Sequence, residues 1–220
     1  MSILRSRFSH VIFDWDGTLM DSTGRIVSAM QSTARILGIK VPSEQEVKSI
    51  IGLSMQAVLD SVFPDACEKT RAKILEEYRY QYIEGDETPT PLFNGSLDLL
   101  HWLREQEVIV SVATGKAREG LNRVMSEVGL LNFFDSTICA DEANSKPEPH
   151  MVEILIERSK KPKNEVIVIG DSVHDLKMAA NAGVAAIGVS SGANDSQTLR
   201  SLEPIVVLER VCHLKDWFEN

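Results

Sequence analysis

Apolar residues follow two different patterns along the chain. The N-terminal run HVIF is followed at once by acids, and from about residue 91 short apolar runs alternate with segments of helical periodicity. The runs with strand-like composition lie in VIVSVATG (108–115), STICA (136–140), EVIVIGD (165–171), AAIGVSS (185–191) and PIVVL (204–208). Because these runs alternate with helices and are apolar without interruption, the pattern predicts a parallel sheet covered by helices on both faces.

Between the first strand and about residue 85 the pattern is helical only. The positions that recur every three or four residues are Ile26, Met30, Thr33 and Leu37; Val47, Ile50 and Ile51; Met55, Val58, Leu59 and Val62; and Ile74, Leu75, Tyr78 and Tyr82. Ser43 and Glu46 form a capping box, and Gly52 is expected to end the helix that they begin. Stripes of this kind belong to a hydrophobic core, so they predict packed helices rather than a cofactor site.

The two patterns together predict the domain organisation. The segment GDETPTPLFNG (85–95) is rich in Pro and Gly and is predicted to be the linker that returns the chain to the sheet. We therefore predict an α/β fold with a Rossmann-like parallel sheet core, formed by residues 1–20 and 86–220. Residues 21–85 are predicted to form an inserted α-helical cap.

Composition narrows the classes of function. The chain has 220 residues, a formal net charge of −9 and 43% hydrophobic residues, which suffices for a sizeable core. An acidic chain lacks the basic face that a nucleic-acid partner needs. No apolar run approaches the length of a membrane span or of a signal-peptide core, so we expect a cytoplasmic protein without a membrane partner. Three scattered cysteines indicate neither a disulfide framework nor a zinc site.

Polar residues follow four of the predicted strands. They are Asp14 and Asp16, then Thr114 and Gly115, then Lys146, and finally Asp171 and Asp175. In open parallel sheets, ligands bind beyond the carboxyl ends of the strands, so these residues are expected to meet in one crevice. Each of them alone is common at a turn or on a solvated surface. Their occurrence at four successive strand ends favours a functional site.

These residue types indicate phosphoryl transfer. Clustered carboxylates need a cation, and oxygen ligands favour a hard ion such as Mg²⁺. Lysine, threonine and backbone N–H groups of turns donate to phosphoryl oxygens. The motifs contain no cysteine and no serine–histidine pair, so the remaining nucleophile is a carboxylate, and an aspartyl-phosphate intermediate is predicted.

The motifs themselves resemble a known family. DWDGTLMDS, VATG, SKPEP and GDSVHD with AANAG, in this order and with a helical insert after the first, resemble the four motifs of the haloacid dehalogenase-like superfamily of phosphatases. The insert, together with IIGLS (50–54) and EEYRYQY (76–82), is similar to the phosphoglycolate-phosphatase-like branch with a helical cap. The resemblance implies a phosphatase that acts on a small phosphorylated metabolite, such as phosphoglycolate or a sugar phosphate.

The resemblance also implies a role for each motif residue. Asp14 would be the nucleophile that becomes phosphorylated. Asp16 would protonate the leaving alkoxide and then activate water. Thr114 would donate to the phosphoryl oxygens, and Lys146 would offset their charge.

By the same resemblance, Mg²⁺ would be held by the side chains of Asp14 and Asp171 and by the backbone carbonyl of Asp16, with Asp175 ligating or supporting it. Backbone N–H groups around Trp15 and Gly17, and near Gly115, would complete a phosphate cradle. On the cap, Arg25, Lys48 and Arg79 are candidates for contact with the substrate, although a charge in such a position is more often just a solvated helix charge.

Several alternatives remain open at this point. The dehalogenases and phosphonate hydrolases that resemble this chain lack an acid at the position of Asp16. A β-phosphoglucomutase-like phosphomutase and a pyrophosphatase of the same fold stay possible. A phospho-receiver domain also combines acids, threonine and lysine. In a receiver, however, the phosphorylated aspartate follows a later strand than the acid pair, and there is no helical insert. An inactive interaction module would have lost motif residues. The sequence gives no indication of oligomeric state.

Overall fold

A six-stranded parallel sheet forms the centre of the molecule. The computed structural model describes residues 8–219. The strands are β1 (His10–Phe13), β2 (Ile109–Ala113), β3 (Ser136–Ile138), β4 (Val166–Gly170), β5 (Ala185–Val189) and β6 (Val206–Leu208). They lie in the order β3-β2-β1-β4-β5-β6, and every pair is parallel. Each strand falls within a run that the sequence predicts.

Helices cover both faces of this sheet. The helices of the described chain, in order, are α1 (Thr23–Ile36), α2 (Glu44–Lys48), α3 (Met55–Val62), α4 (Glu68–Tyr80), α5 (Ser96–Glu105), α6 (Arg118–Glu127), α7 (His150–Ser159), α8 (Val173–Ala182), α9 (Ser196–Arg200) and α10 (Leu214–Glu219), and those from α5 onward belong to the sheet domain. Side chains of β1 alternate between the two faces: Val11 and Phe13 pack with helices α5, α6 and α10, whereas Ile12 packs with α7 and α8. The predicted α/β class and the two covered faces are confirmed.

Helices α1 to α4 form the insert between β1 and α5. They share a hydrophobic cluster of their own, which includes Met30, Val47, Leu59 and Ile74. A π-helical turn, Gln81–Gly85, follows α4 before the chain returns to the sheet. The insert thus has its own hydrophobic core. Its boundaries near residues 20 and 86 stay predictions.

One predicted helix end is wrong. The capping box of Ser43 and Glu46 is present, but helix α2 ends at Lys48 rather than at Gly52. Residues 49–53 form turns, and Gly52 has a φ of +93°. This irregular segment brings the backbone of the insert down onto the end of β2. None of the helices in the described part of the chain has the length and hydropathy that crossing a membrane requires.

The register of the strands aligns the ends that carry the motifs. Phe13, the last residue of β1, pairs with Val112 of β2 on one side and with Ile169 of β4 on the other. The N–H of Asp14 donates to the carbonyl of Ile169 over 2.9 Å. Consequently Asp14 lies between the end of β2, which leads to Thr114, and the end of β4, which leads to Asp171.

Candidate active site

Asp14 lies in a buried ionic cluster. Lys146 Nζ is 2.6 Å from Asp14 Oδ1 and 2.6 Å from Asp175 Oδ1. Its side chain is fully buried, so the ammonium has left water entirely and is balanced by these two carboxylates. A residue 132 positions away in sequence from Asp14 is thereby fixed against it. The structure brings Asp14, Lys146 and Asp175 together, as the sequence predicts.

Asp171 completes this cluster from the end of β4. Its Oδ1 accepts a hydrogen bond from the hydroxyl of Thr18 at 2.8 Å, and its Oδ2 accepts one from the N–H of Ala193 at 2.7 Å. Gly17 has a φ of +83°, and a Cβ at that position would lie 2.3 Å from Asp171 Oδ2. Only glycine lets the turn after β1 approach Asp171 so closely.

Burial and mutual repulsion control the ionisation of the cluster. Burial, reinforced by the charges of Asp175 and Asp171 and opposed by Lys146, raises the pKa of Asp14 well above its ordinary value. Burial and the charge of Asp175 raise the pKa of Asp171 to about 7. Burial alone would lower the pKa of Lys146, but Asp14 and Asp175 outweigh it and raise that pKa. The single positive charge of Lys146 therefore does not neutralise the carboxylates of this cluster.

The donor set fits a divalent cation. Asp14, Asp171 and Asp175 offer carboxylate oxygens that all lie within 4.8 Å of one another. Three carboxylates and one ammonium leave a formal charge of −2. Asp14 Oδ2 is buried and has no hydrogen-bond partner, which is unfavourable unless a ligand completes it. An all-oxygen set of this kind suits Mg²⁺.

The two oxygens of Asp175 are engaged in a local structure. Oδ1 is bound by Lys146, while Oδ2 accepts from the N–H and the hydroxyl of Ser172, at 3.0 and 2.6 Å. The N–H of Asp175 donates in turn to Ser172 Oγ at 3.3 Å, and this bond together with the one from the N–H of Ser172 forms the capping box that begins helix α8. Asp175 is thus held rigidly, and these contacts favour supporting the cation over ligating it.

Asp16 lies apart from the cluster and faces the insert. Its Oδ1 accepts a hydrogen bond from the hydroxyl of Ser22 at 2.5 Å and is 3.0 Å from Lys116 Nζ. The same ammonium donates to the hydroxyl of Tyr82, on the insert, over 3.1 Å. Burial would lower the pKa of Lys116, but Asp16, Tyr82 and Tyr78 outweigh it and raise that pKa. The Lys116 ammonium therefore stays protonated. Lys116 therefore links Asp16 to the insert.

The end of β2 supplies a hydroxyl and a close backbone contact. Thr114 is fully buried, and its Oγ1 accepts the N–H of Lys116 at 3.2 Å. Because an accepting hydroxyl keeps its hydrogen, Thr114 retains a donor. A Cβ on Gly115 would lie 2.5 Å from the carbonyl oxygen of Gly52. Glycine at this position lets the insert touch the core.

A cavity of about 780 Å³ extends from Asp16 between the sheet and the insert. Its core side is lined by Asp16, Gly115, Lys116, Ala117, Glu119, Gly120, Arg123, Ala140 and Asp141. Its other wall comes from the insert, mainly from aliphatic and tyrosine side chains of α1, α3 and α4 and of the turn after α2. A concave site of this size beside a charged cluster can enclose a small molecule.

Comparison with known proteins decides the family. The sequence profile described as haloacid dehalogenase-like hydrolase matches residues 11–189. The chain belongs to this family. It is 31% identical over 203 residues to "Probable phosphatase IndB" of Dickeya dadantii, an alignment that covers 90% of this chain and 88% of that protein.

Two further comparisons agree with this membership. The phosphoglycolate phosphatase of Vibrio cholerae is 26% identical over 209 residues, with 91% of this chain and 92% of the relative covered. A solved structure of a putative haloacid dehalogenase-like hydrolase from Bacteroides fragilis superposes with a TM-score of 0.85 and 25% identity, covering 94% and 99% of the two chains. The family predicted from the sequence motifs is confirmed, which leaves no place for the receiver-domain alternative.

Within this haloacid dehalogenase-like hydrolase, the backbone N–H predicted to bind phosphate is already used at Gly17, whereas that of Trp15 stays a prediction. The side chain of Trp15 is fully buried, and its indole N–H points to Met20 Sδ, so it belongs to the core. The N–H of Gly17 donates to the carbonyl of Met20 at 2.8 Å and is therefore already used. The contribution of Gly17 is its close approach to Asp171.

The three cap candidates differ in their positions. Lys48 pairs with Glu44 one turn earlier on α2, at 2.6 Å, and does not line the cavity, which argues against its predicted role in substrate binding. Arg25 donates to the carbonyl of Thr88 and ties α1 to the return linker. Arg79 does line the cavity.

The sequence analysis missed several residues that shape the site. Thr18 and Ser22 hold Asp171 and Asp16, and Lys116 joins Asp16 to Tyr82. Lys116 directly follows the VATG motif, and this position could have indicated that it belongs to the site. Tyr82 was assigned to the helical stripe, and no local pattern distinguishes a stripe residue that packs in the core from one that also lines a cavity.

Proposed function

We propose that this hydrolase is a Mg²⁺-dependent phosphatase that cleaves a small phosphomonoester through an aspartyl-phosphate on Asp14. The observation that carries the proposal is the pairing of Asp14 with Lys146 while its second oxygen, Oδ2, is buried without a partner. A carboxylate that is desolvated, oriented and incompletely bound is suited to attack phosphorus.

The first half-reaction transfers the phosphoryl group to the protein. A carboxylate oxygen of Asp14 attacks phosphorus, the bond between phosphorus and the ester oxygen breaks, and the leaving alkoxide takes a proton from Asp16. Thr114 donates its hydroxyl hydrogen to a phosphoryl oxygen, and Lys146 offsets the charge that gathers there. Asp16 suits its role because, of the four acids that the motifs contribute to the site, it is the one that lines the cavity where the leaving group would lie.

The second half-reaction releases phosphate. Asp16, now ionised, removes a proton from water as the water attacks phosphorus, and the bond to Asp14 breaks so that the carboxylate is restored. Lys116 and Ser22 hold Asp16 in one orientation through both steps. A bound Mg²⁺, held by Asp14, Asp171 and the backbone of Asp16 with support from Asp175, would supply charge neutralisation that lets an anionic nucleophile meet a dianionic ester.

The leaving group has several candidates. The family resemblance suggests a phosphoglycolate-like ester or a sugar phosphate, and pyrophosphate and a phosphomutase reaction use the same phosphoryl chemistry. A mutase would return the phosphoryl group to the substrate, whereas a phosphatase releases inorganic phosphate. Net release of phosphate from a monoester therefore separates the mutase from the phosphatase.

We also propose a cytoplasmic location, in keeping with the free thiols of Cys67, Cys139 and Cys212.

The proposal is tested by phosphate release from a panel of phosphomonoesters and pyrophosphate, with Mg²⁺ and with chelator. We expect turnover that requires the cation. Asp14→Asn should abolish it, because an amide is no nucleophile and binds the cation poorly. Asp21→Asn is the matched control, since Asp21 is an exposed aspartate in the same segment and should be replaceable without loss.

Two results would contradict the proposal. One is turnover by a folded Asp14→Asn variant. The other is the absence of Mg²⁺-dependent phosphate release from every monoester, including p-nitrophenyl phosphate, by a protein whose circular dichroism shows it to be folded. The second result would favour the interaction-module alternative.

A further inference from the structure

The wall that the insert gives to the cavity is mostly apolar, although Ser54, Gln56 and Arg79 also line it. Ile26, Met30, Ile51 and Val58 line it and are more than nine-tenths buried, so they form a fixed hydrophobic surface. The rings of Tyr78 and Tyr82 lie 5.9 Å apart on the same wall. Side chains of this kind gain nothing from a charged ligand, and they favour a ligand that brings apolar surface.

Two further apolar side chains of the cavity are partly open to solvent. Leu75 is 40% exposed and Ile83 is 39% exposed, although both line the cavity. Apolar surface left exposed around a concave site is typical of a place that a ligand covers. The cavity volume of about 780 Å³ also far exceeds what the short carbon skeleton of phosphoglycolate would occupy.

Each cation that lines the cavity is already paired with an acidic side chain. Among its described lining residues, the cationic ones are Arg79, Lys116 and Arg123. Their carboxylate partners are Glu119 at 2.6 Å, Asp16 at 3.0 Å and Glu127 at 2.6 Å. A carboxylate or a second phosphate on the leaving group would thus enter an apolar space without an unpaired cation, which is unfavourable.

Among the cations that line the cavity, Arg123 keeps one N–H group without a partner. Arg123 Nε is buried and has no hydrogen-bond partner, while Arg123 Nη1 is engaged by Glu127. A single N–H donor from a guanidinium that is already paired suits a neutral acceptor such as a hydroxyl or carbonyl oxygen. It does not supply the net charge that an anion would need.

From these contacts we infer the substrate class: a phosphomonoester of an uncharged, largely apolar alcohol, long or bulky enough to reach past Asp16 onto the tyrosine and aliphatic wall of the insert. The inference rests on the proposed phosphatase function, because it places the leaving group of that reaction. It disfavours phosphoglycolate and pyrophosphate as the preferred substrates.

The test compares esters whose alcohols leave equally well. Propyl and hexyl phosphate differ only in chain length, and 5-carboxypentyl phosphate adds a charge at the far end of a chain of matching length. Since each buried methylene contributes about 0.8 kcal/mol, or roughly four-fold, kcat/KM should rise about sixty-fold from propyl to hexyl phosphate if all three added methylenes are buried. The carboxylate should cancel this gain, and phosphoglycolate should be a poorer substrate than hexyl phosphate.

A pair of variants ties the preference to the cavity wall. Leu75→Lys places a cation on the exposed part of the wall, so it should reduce the ratio of hexyl to 5-carboxypentyl phosphate by about ten-fold. Ile36→Lys is the control, because Ile36 is 58% exposed on α1 and does not line the cavity. That variant should keep the wild-type ratio.

A binding measurement separates this inference from the proposed function. Hexylphosphonate and 5-carboxypentylphosphonate cannot be hydrolysed, and calorimetry in the presence of Mg²⁺ gives their dissociation constants. Tighter binding of hexylphosphonate, by about ten-fold, would support the apolar site even in a protein without turnover, in which case the proposed function alone would fail. Phosphatase activity with equal or better kcat/KM for propyl, carboxylated or glycolate esters would overturn the inference and leave the proposed function standing.

Discussion

The two ends of the site are built on opposite principles. At the phosphoryl end, Lys146 joins Asp14 to Asp175 and Thr18 holds Asp171, so buried charges and dipoles are oriented by named contacts. At the leaving-group end, the insert offers mostly aliphatic side chains, and the few charges are paired with each other. The phosphoryl end would orient the phosphoryl group through directional hydrogen bonds. The leaving-group end offers apolar contact, which has no preferred direction.

This difference shows how the fold divides its task. Directional bonds tolerate little displacement, and the rigid ends of β1, β2 and β4 supply them. Apolar contact tolerates variation in shape, and the separately packed insert supplies it. We therefore expect changes at the phosphoryl end to affect every substrate alike, and changes at the insert to alter the ranking of substrates.

The largest effect is expected at the residue between the two ends. Asp16→Ala should lower steady-state turnover of alkyl phosphates by about 10²–10⁴-fold, because both the acid and the base are lost. With p-nitrophenyl phosphate, whose leaving group needs no acid, stopped-flow absorbance should show a rapid burst of p-nitrophenolate followed by slow turnover. Asp21→Ala serves as the control. A uniform loss without a burst would show that Asp16 does not act in the second half-reaction.

Next in size is a change that adds one methyl group at the phosphoryl end. Gly17→Ala should reduce kcat/KM roughly 100-fold for all esters and weaken the apparent affinity for Mg²⁺, because the new Cβ would displace the carboxylate of Asp171. Gly120→Ala is the matched control: Gly120 lines the cavity, and its Cβ would meet nothing within 4 Å. Titration with Mg²⁺ checks both. Equal affinity in the two variants would separate Gly17 from the cation site.

A smaller effect is expected where the insert meets the core. The hydroxyl oxygen of Ser145 accepts the N–H of Ser54 at 2.8 Å, across the boundary between the two regions. Ser145→Ala should lower kcat/KM about five-fold, as a lost hydrogen bond of about 1 kcal/mol implies. Ser159→Ala, whose hydroxyl donates within helix α7, should have no effect. An unchanged kcat/KM for Ser145→Ala would show that this contact does not hold the insert in place.

The smallest effect concerns the other end of β1, where a buried ionisable group has no catalytic role. Burial lowers the pKa of His10 to about 4, while its Nε2 lies 2.9 Å from Ser111 Oγ. In the unfolded chain His10 takes up a proton near its ordinary pKa of about 6.5, so its contribution to stability is present above that pH and is lost as the pH falls toward 4. Between about pH 7.5 and pH 5 the loss amounts to about 2 kcal/mol.

Urea denaturation at these two pH values measures the contribution of His10 to the free energy of unfolding. The fall in unfolding free energy of the wild type should exceed that of His10→Gln by about 2 kcal/mol. His101→Gln, at an exposed position on α5, should behave as the wild type does. An identical pH dependence in all three proteins would contradict the lowered pKa of His10.

The phosphoryl end could be predicted from sequence because its residues stand in fixed positions relative to strands. A parallel sheet brings strand ends together, so an acid after β1 and an acid after β4 must meet, and Asp14 and Asp171 do. The sequence predicts that the glycine in the same turn serves the phosphate, and it does not predict the close approach of Gly17 to Asp171.

The leaving-group end could not be predicted in the same way. Helical periodicity tells which side of α1 is apolar, but not whether Met30 packs against another helix or faces a cavity as well. The role of Lys116 depends on a contact with Tyr82, which lies 34 residues earlier in sequence. The helix that begins at Glu44 stops at Lys48 because the chain turns toward the core, a tertiary cause that the capping signals do not contain.

In the proposed mechanism every phosphoryl group passes through Asp14. The most direct test is mass spectrometry of Asp16→Ala protein mixed with p-nitrophenyl phosphate and Mg²⁺ and quenched rapidly in acid. Cleavage after Arg7 and Arg25 releases residues 8–25, and fragmentation of this peptide should place one phosphoryl group on Asp14, with hydroxylamine removing it as expected of an acyl phosphate. A phosphoryl group on any other residue, or rapid phosphate release without a modified peptide, would contradict the account.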